Sequence, residues 1–229
     1  MIPSNARATA AALLVAAAVT ACAGANRGGV RTPPQSATAS QSDLAAMAKA
    51  RADSARYPYT AADVHFMSGM IGHHAQAIVM AKWAPTHGAG SSVRTLCERI
   101  INAQQDEIAT MQTWLRDRRQ PVPEAVPGPM KMQMGGMEHE MLMPGMLTAE
   151  QMKQLDQARG QEFDRLFLTF MIQHHGGAVE MVKELFATNG AAQDELVFKF
   201  ASDVNVDQTT EIARMQRMLV ALVIEAHAP

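Results

Sequence analysis

Cysteine is nearly missing from this 229-residue chain: only Cys22 and Cys97 are present, which leaves no disulfide framework and no paired-cysteine redox motif. Aromatic residues make up 5%, and the formal charge is −2, with no basic block and no basic residues interleaved with aromatics. Nothing in the charge pattern gives a reason to bind nucleic acid. There is no Ser-His-Asp signature and no glycine-rich phosphate loop, so a non-enzymatic role is expected. What the chain does have is a hydrophobic content of 48%, ample for a real core, and 18 methionines. Thioethers form no disulfides and stay available in oxidising compartments.

The stretch Met70 to Met80, MIGHHAQAIVM, returns from Met171 to Met181 as MIQHHGGAVEM. At an offset of 101, Asp63 aligns with Asp164, Phe66 with Phe167, Met70 with Met171, His73 with His174 and Met80 with Met181. A second match, QDEIATMQTWL from Gln105 and TTEIARMQRML from Thr209, has an offset of 104. The chain is an internal duplication. At about 100° per residue, Asp63, Phe66, Met70, His73, His74, Ala77 and Met80 fall within an arc of roughly 140°, so two imidazoles and two thioethers share one helical face.

Residues 1–21 read as a lipoprotein signal, with Arg7, an apolar run from Ala8 to Val19 and Val19-Thr20-Ala21 before Cys22. Cleavage there would make Cys22 the lipidated N-terminus and place the protein in the bacterial cell envelope, outside the cytoplasm. The apolar run is short for a spanning helix. Residues 22–41 have the composition of a flexible tether. The folded part, 42–229, is expected to be all-α: a short N-terminal helix, then repeat 1 over 60–118, a Met-rich linker over 120–146 and repeat 2 over 148–226. Capping boxes at Thr60 and Thr148 open the repeats, and repeat 2 should continue helically to about Ala187 with a bend near Gly160. Two hairpins too thin to bury their own stripes should pack as one four-helix bundle. With up-down-up-down topology the two histidine helices would lie diagonally and run parallel.

A methionine stripe is by itself only core, but four imidazoles on core-facing stripes need partners for both ring nitrogens. Hydrogen bonds to Asp63, Asp164, Glu107 or Glu211 would satisfy them; so would a metal. No Glu stands three residues before any of the four histidines, which removes the carboxylate di-iron pattern. Met70, His73, His74 and Met80, with Met171, His174, His175 and Met181, form instead a thioether-imidazole set suited to copper, Cu(I) preferred and Cu(II) allowed; zinc would bind through the histidines alone. Affinity should fall below about pH 6 as free imidazole protonates. The linker adds Met130, Met132, Met134, Met137, His139, Met141, Met143 and Met146, which suit a mobile copper(I) capture arm. The same methionines would also serve as a partner-binding segment or an oxidant trap. Cys97 reads as a small buried hydrophobe, and His65, His87 and His227 as surface residues.

Through Asp63-Val64-His65-Phe66 with MIGHHAQAIVM, Asp164 to Phe167 with MIQHHGGAVEM, and the Glu-Ile-Ala of each second helix, the chain resembles the bacterial family called domain of unknown function 305. The resemblance spans about Thr60 to Leu219. It implies a ferritin-like bundle, often exported, with copper binding and copper tolerance in some members and no established reaction. The expected role is an envelope protein, lipid-anchored to the membrane, that sequesters copper or passes it to a copper-handling protein. The competing reading is a non-enzymatic interaction module whose core histidines are structural.

Overall fold

The computed structural model describes residues 40–56, 58–134 and 137–226, so the expected signal, the lipidated Cys22, nearly all of the tether and His227 lie outside the described residues. Six helices are described: α1 (Gln41–Arg56), α2 (Ala61–Lys82), α3 (Ser91–Asp117), α4 (Ala149–Gln157), α5 (Gly160–Ala187) and α6 (Glu195–Ala226). Thr60 and Thr148 both form the reciprocal capping box, each hydroxyl accepting from the backbone N–H three residues on. The expected bend near Gly160 is a complete break. Ala158 and Arg159 are extended and Gly160 has a φ of 59°, so α4 and α5 are separate helices.

Helices α2, α3, α5 and α6 make the bundle, but α2 and α5 run antiparallel, not parallel as up-down-up-down topology would give. The reason is a pair of reciprocal clasps. Asp63, at the start of α2, accepts from Ala192 N (2.7 Å) in the turn after α5. Asp164, near the start of α5, accepts from Gly90 N (3.0 Å) in the turn after α2. The duplicated aspartates therefore hold each other's hairpin turns and do not reach the histidine rings.

An antiparallel α2/α5 pair requires the connection 118–159 to run back along the bundle, roughly 30 Å for a helix of this length. This is a crossover, as in ferritin-like bundles. It is not a loose linker. Strands β1 (Met130–Met134) and β2 (Met137–Met141) pair antiparallel, with Met130 opposite Met141, Met132 opposite His139 and Met134 opposite Met137. Beyond the hairpin, residues 143–148 lie as a strap across α2 and α5: Met143, Met146 and Leu147 are buried in the core, so the end of the expected mobile linker is a packed segment. Gln76 fixes the strap through both amide atoms, donating to Leu147 O (3.0 Å) and accepting from Leu147 N (2.7 Å). Gly177, the counterpart of Gln76 in the repeat, lets the strap pass, since a Cβ there would overlap the Pro144 carbonyl.

Candidate metal centre

His73, His74, His174 and His175 are all fully buried. The crossing of α2 and α5 brings His73 and His174 together, ring centroids 3.8 Å apart and tilted by 40°, while His74 and His175 lie 6.3 and 6.2 Å from their own neighbours. Glu107 of α3 accepts from His74 Nε2 (2.6 Å), and Glu211 of α6 accepts from His175 Nε2 (2.8 Å). The Pro144 carbonyl accepts from His73 Nε2 (3.0 Å). Whenever one of these three rings is neutral, its partner places the proton on Nε2 and the lone pair on Nδ1. A carboxylate or carbonyl on the far nitrogen is how proteins orient imidazole towards a metal.

All four Nδ1 atoms are buried without a hydrogen-bond partner. His174 is barer still: its Nε2 has none either, because the strap crosses the twofold-related helices asymmetrically and serves only His73. Buried polar atoms without partners destabilise a fold by roughly 1–3 kcal/mol each. Burial, and then the neighbouring rings, His74 first, hold His73 down at about 3; burial and His73 hold His174 well below the ordinary imidazole value. Both rings stay neutral in mild acid, so proton competition at His73 begins far below the pH 6 expected of free imidazole.

The thioethers divide into two groups. Met70 and Met181 pack in one core cluster with Met143 and Met146, while Met80 and Met171 pack in the other. The antiparallel crossing thus pairs each motif's first methionine with the other motif's last. Met130 Sδ and Met143 Sδ both come close to Gly69, 3.4 and 3.3 Å from the point a Cβ would occupy there, beside a cavity of about 460 Å³. Met141 is exposed. The side chains of Met132, Met134, Met137 and His139 lie outside what the structure describes. Among the described residues no three His, Cys, Asp or Glu side chains are grouped to hold one ion.

Cys97 is buried, and its thiol is pushed up to about 12 by burial and then by Asp164, which suits the hydrophobe expected of it. His87 is a correction. It is buried, stacked on Trp83, with Nε2 donating to the Asp156 carbonyl (2.9 Å), and so holds α4 to the first turn. His65 is half-buried. Two residues the sequence reading passed over, Gln104 and Gln208, are also buried, with unpartnered amide oxygens; their repetition at the 104-residue offset was the available signal.

Acid stability gives a direct check on the rings. Unfolded imidazole titrates near 6.5, so below that pH the unfolded chain takes up protons that folded His73 refuses until about 3, and that folded His174, also held well below the ordinary value, refuses as well. Stability is unaffected above pH 6.5 and is lost as pH falls towards 3, by roughly 3 kcal/mol or more. Urea denaturation at pH 7 and pH 4.5 should show a larger loss for the native chain than for His174→Leu. Equal losses would mean that the rings already carry protons when folded.

The sequence model of the family described as "Domain of unknown function (DUF305)" matches residues 63–219. A DUF305 protein of Streptomyces coelicolor, provisionally described as secreted, superposes with a TM-score of 0.59 at 28% identity, over 70% of this chain and 93% of that one. CopM superposes in its Cu(II)-bound form with a TM-score of 0.52 at 28% identity, over 69% of this chain and 96% of that one. In its Cu(I)-bound form the values are 0.51 and 27%, over 68% and 94%. A 57-residue stretch is 37% identical to uncharacterized protein L153 of Acanthamoeba polyphaga mimivirus, covering 25% of this chain and 38% of that protein's length. With the family match extending over both copies of the repeat, the chain belongs to the DUF305 family.

Proposed function

We propose that this chain is an extracytoplasmic, lipid-anchored, non-enzymatic protein that binds copper through the histidine layer and its flanking thioethers, and sequesters the metal or passes it on. One observation carries the reading: four buried Nδ1 atoms without hydrogen-bond partners, in a core that also buries Met70, Met80, Met171 and Met181. One or two imidazoles with thioethers is a soft, low-coordinate set that favours Cu(I), and it falls short of the three or four nitrogen and sulfur ligands zinc takes. The copper-bound forms of CopM, a structural neighbour, support the same choice of metal. The methionine hairpin and Met130 with Met143 would meet the ion first, and the crossing of α2 and α5 would hold it more tightly. The provisional description of the Streptomyces coelicolor relative as secreted and the signal-like N-terminus support the location.

The test is titration of the mature chain with Cu(I) against a competing chelator. His73→Leu with His174→Leu should weaken binding tenfold or more, and deletion of 130–141, which spares the strap, should slow or weaken capture. If neither change moves the affinity, the copper reading is withdrawn and the interaction module takes its place.

A further inference from the structure

Around the bundle, α2 packs closely on α3 and on α5, and α5 on α6, but α3 and α6 approach each other sparsely. A cavity of about 210 Å³ lies in that seam, lined by Gln104 and Glu107 of α3 and by Asp207, Gln208 and Glu211 of α6, with Arg99 at its edge. The core repeat places the pairs Gln104/Gln208 and Glu107/Glu211 symmetrically. Gln104 and Gln208 are 2% and 3% exposed, and neither amide oxygen has a hydrogen-bond partner. Amides are not normally buried in this state; an unpaired carbonyl oxygen beside carboxylates wants a cation or a donor. Each glutamate accepts from its histidine through Oε2 and has no other hydrogen-bond partner among the described residues. Glu107, Asp207 and Glu211 set three carboxylates in the pocket against the single Arg99 guanidinium.

We propose that this seam is a second metal site, for one hard divalent cation of the calcium or manganese class, held by the Gln104 and Gln208 amide oxygens, the Glu107 and Glu211 carboxylates and water. An all-oxygen set with amide carbonyls is the hard-cation pattern and is unsuited to Cu(I). No three carboxylates converge on one point among the described residues, which is why the amides and water are needed. The ion would tie α3 to α6 along the side of the bundle where they approach least, and through the shared glutamates it would touch the outer edge of the histidine layer. The inference goes beyond the copper reading and stands if that reading fails.

Mn²⁺ binding followed by electron paramagnetic resonance on the full chain tests it. One Mn²⁺ per chain should bind, be displaced by Ca²⁺, and raise the thermal midpoint. Gln104→Leu with Gln208→Leu keeps the side-chain size and should weaken Mn²⁺ at least tenfold while leaving Cu(I) affinity unchanged; His174→Leu should do the reverse. Should the double variant fail to fold, Asp207→Asn, at an exposed position on the pocket lining, should still weaken Mn²⁺ severalfold. Native protein that leaves the Mn²⁺ spectrum unperturbed, or variants that bind it as well as the native chain, overturns the site.

Discussion

Gly177→Ala should destabilise the fold by about 3 kcal/mol or more, out of proportion to the single methyl group it adds. In an ordinary helix interior the same change is stabilising by roughly 0.5–1 kcal/mol, because alanine is the better helix former. Here the Cβ would overlap the carbonyl of Pro144, while Gly145, at a φ of 74°, is itself packed 2.7 Å (measured from its own would-be Cβ) from the Gly177 Cα. Neither backbone can give way without lifting the strap. Lifting it would break the Gln76–Leu147 pair, expose Met143 and Met146, and take the carbonyl from His73 Nε2. Thermal unfolding of the variant beside Gly176→Ala, which meets nothing within 4 Å, separates the two effects. A Gly177→Ala protein as stable as its neighbour would show that the strap is not seated in this groove.

The second prediction sets function against stability. His174→Leu should make the metal-free chain more stable, by about 1–3 kcal/mol, and weaken Cu(I) binding at least tenfold. The ring brings two nitrogens into the core, finds a partner for neither, and must stay neutral to remain there. Leucine fills similar space and brings no polar atom, so removing the imidazole removes a desolvation penalty without breaking a hydrogen bond. A histidine retained only to pack or to bond would show the opposite sign, as His74→Leu should, because that change strands the Glu107 carboxylate. Chemical denaturation of both variants without metal decides the matter. If His174→Leu is the less stable protein, the ring has a partner in solution that a bare lone pair does not describe.

Much of this was readable from the chain because the duplication repeats its own constraints. Thr60 and Thr148 cap as their capping-box patterns require, and the one-sided placement of Met70, His73, His74 and Met80 correctly puts them all in the core. Helix direction was not readable. It depends on Asp63 and Asp164 reaching turns more than seventy residues away, and a carboxylate at the start of a helix looks the same whether it serves its own cap or a distant amide. The strap was hidden for a related reason. Met143, Met146 and Leu147 follow no helical or strand period because they pack from an extended segment held by Gln76 and Gly177, and its contacts are long-range. Alternation of Met130, Met132 and Met134 with Gly135-Gly136 before Met137 was a legible hairpin signal, obscured by weighing the methionines for their sulfur alone. Of the four carboxylates the sequence offered as ring partners, Glu107 and Glu211 are used, by His74 and His175, whereas His73 takes the Pro144 carbonyl, a partner that only the strap supplies.

Copper K-edge X-ray absorption on the Cu(I)-loaded mature chain measures the ligand set itself. The predicted spectrum contains both sulfur and imidazole-nitrogen scatterers, and loses the nitrogen contribution in a His73→Leu, His174→Leu protein that is still folded. A shell of oxygen or sulfur alone, unchanged by those substitutions, would contradict a copper site at the crossing of α2 and α5.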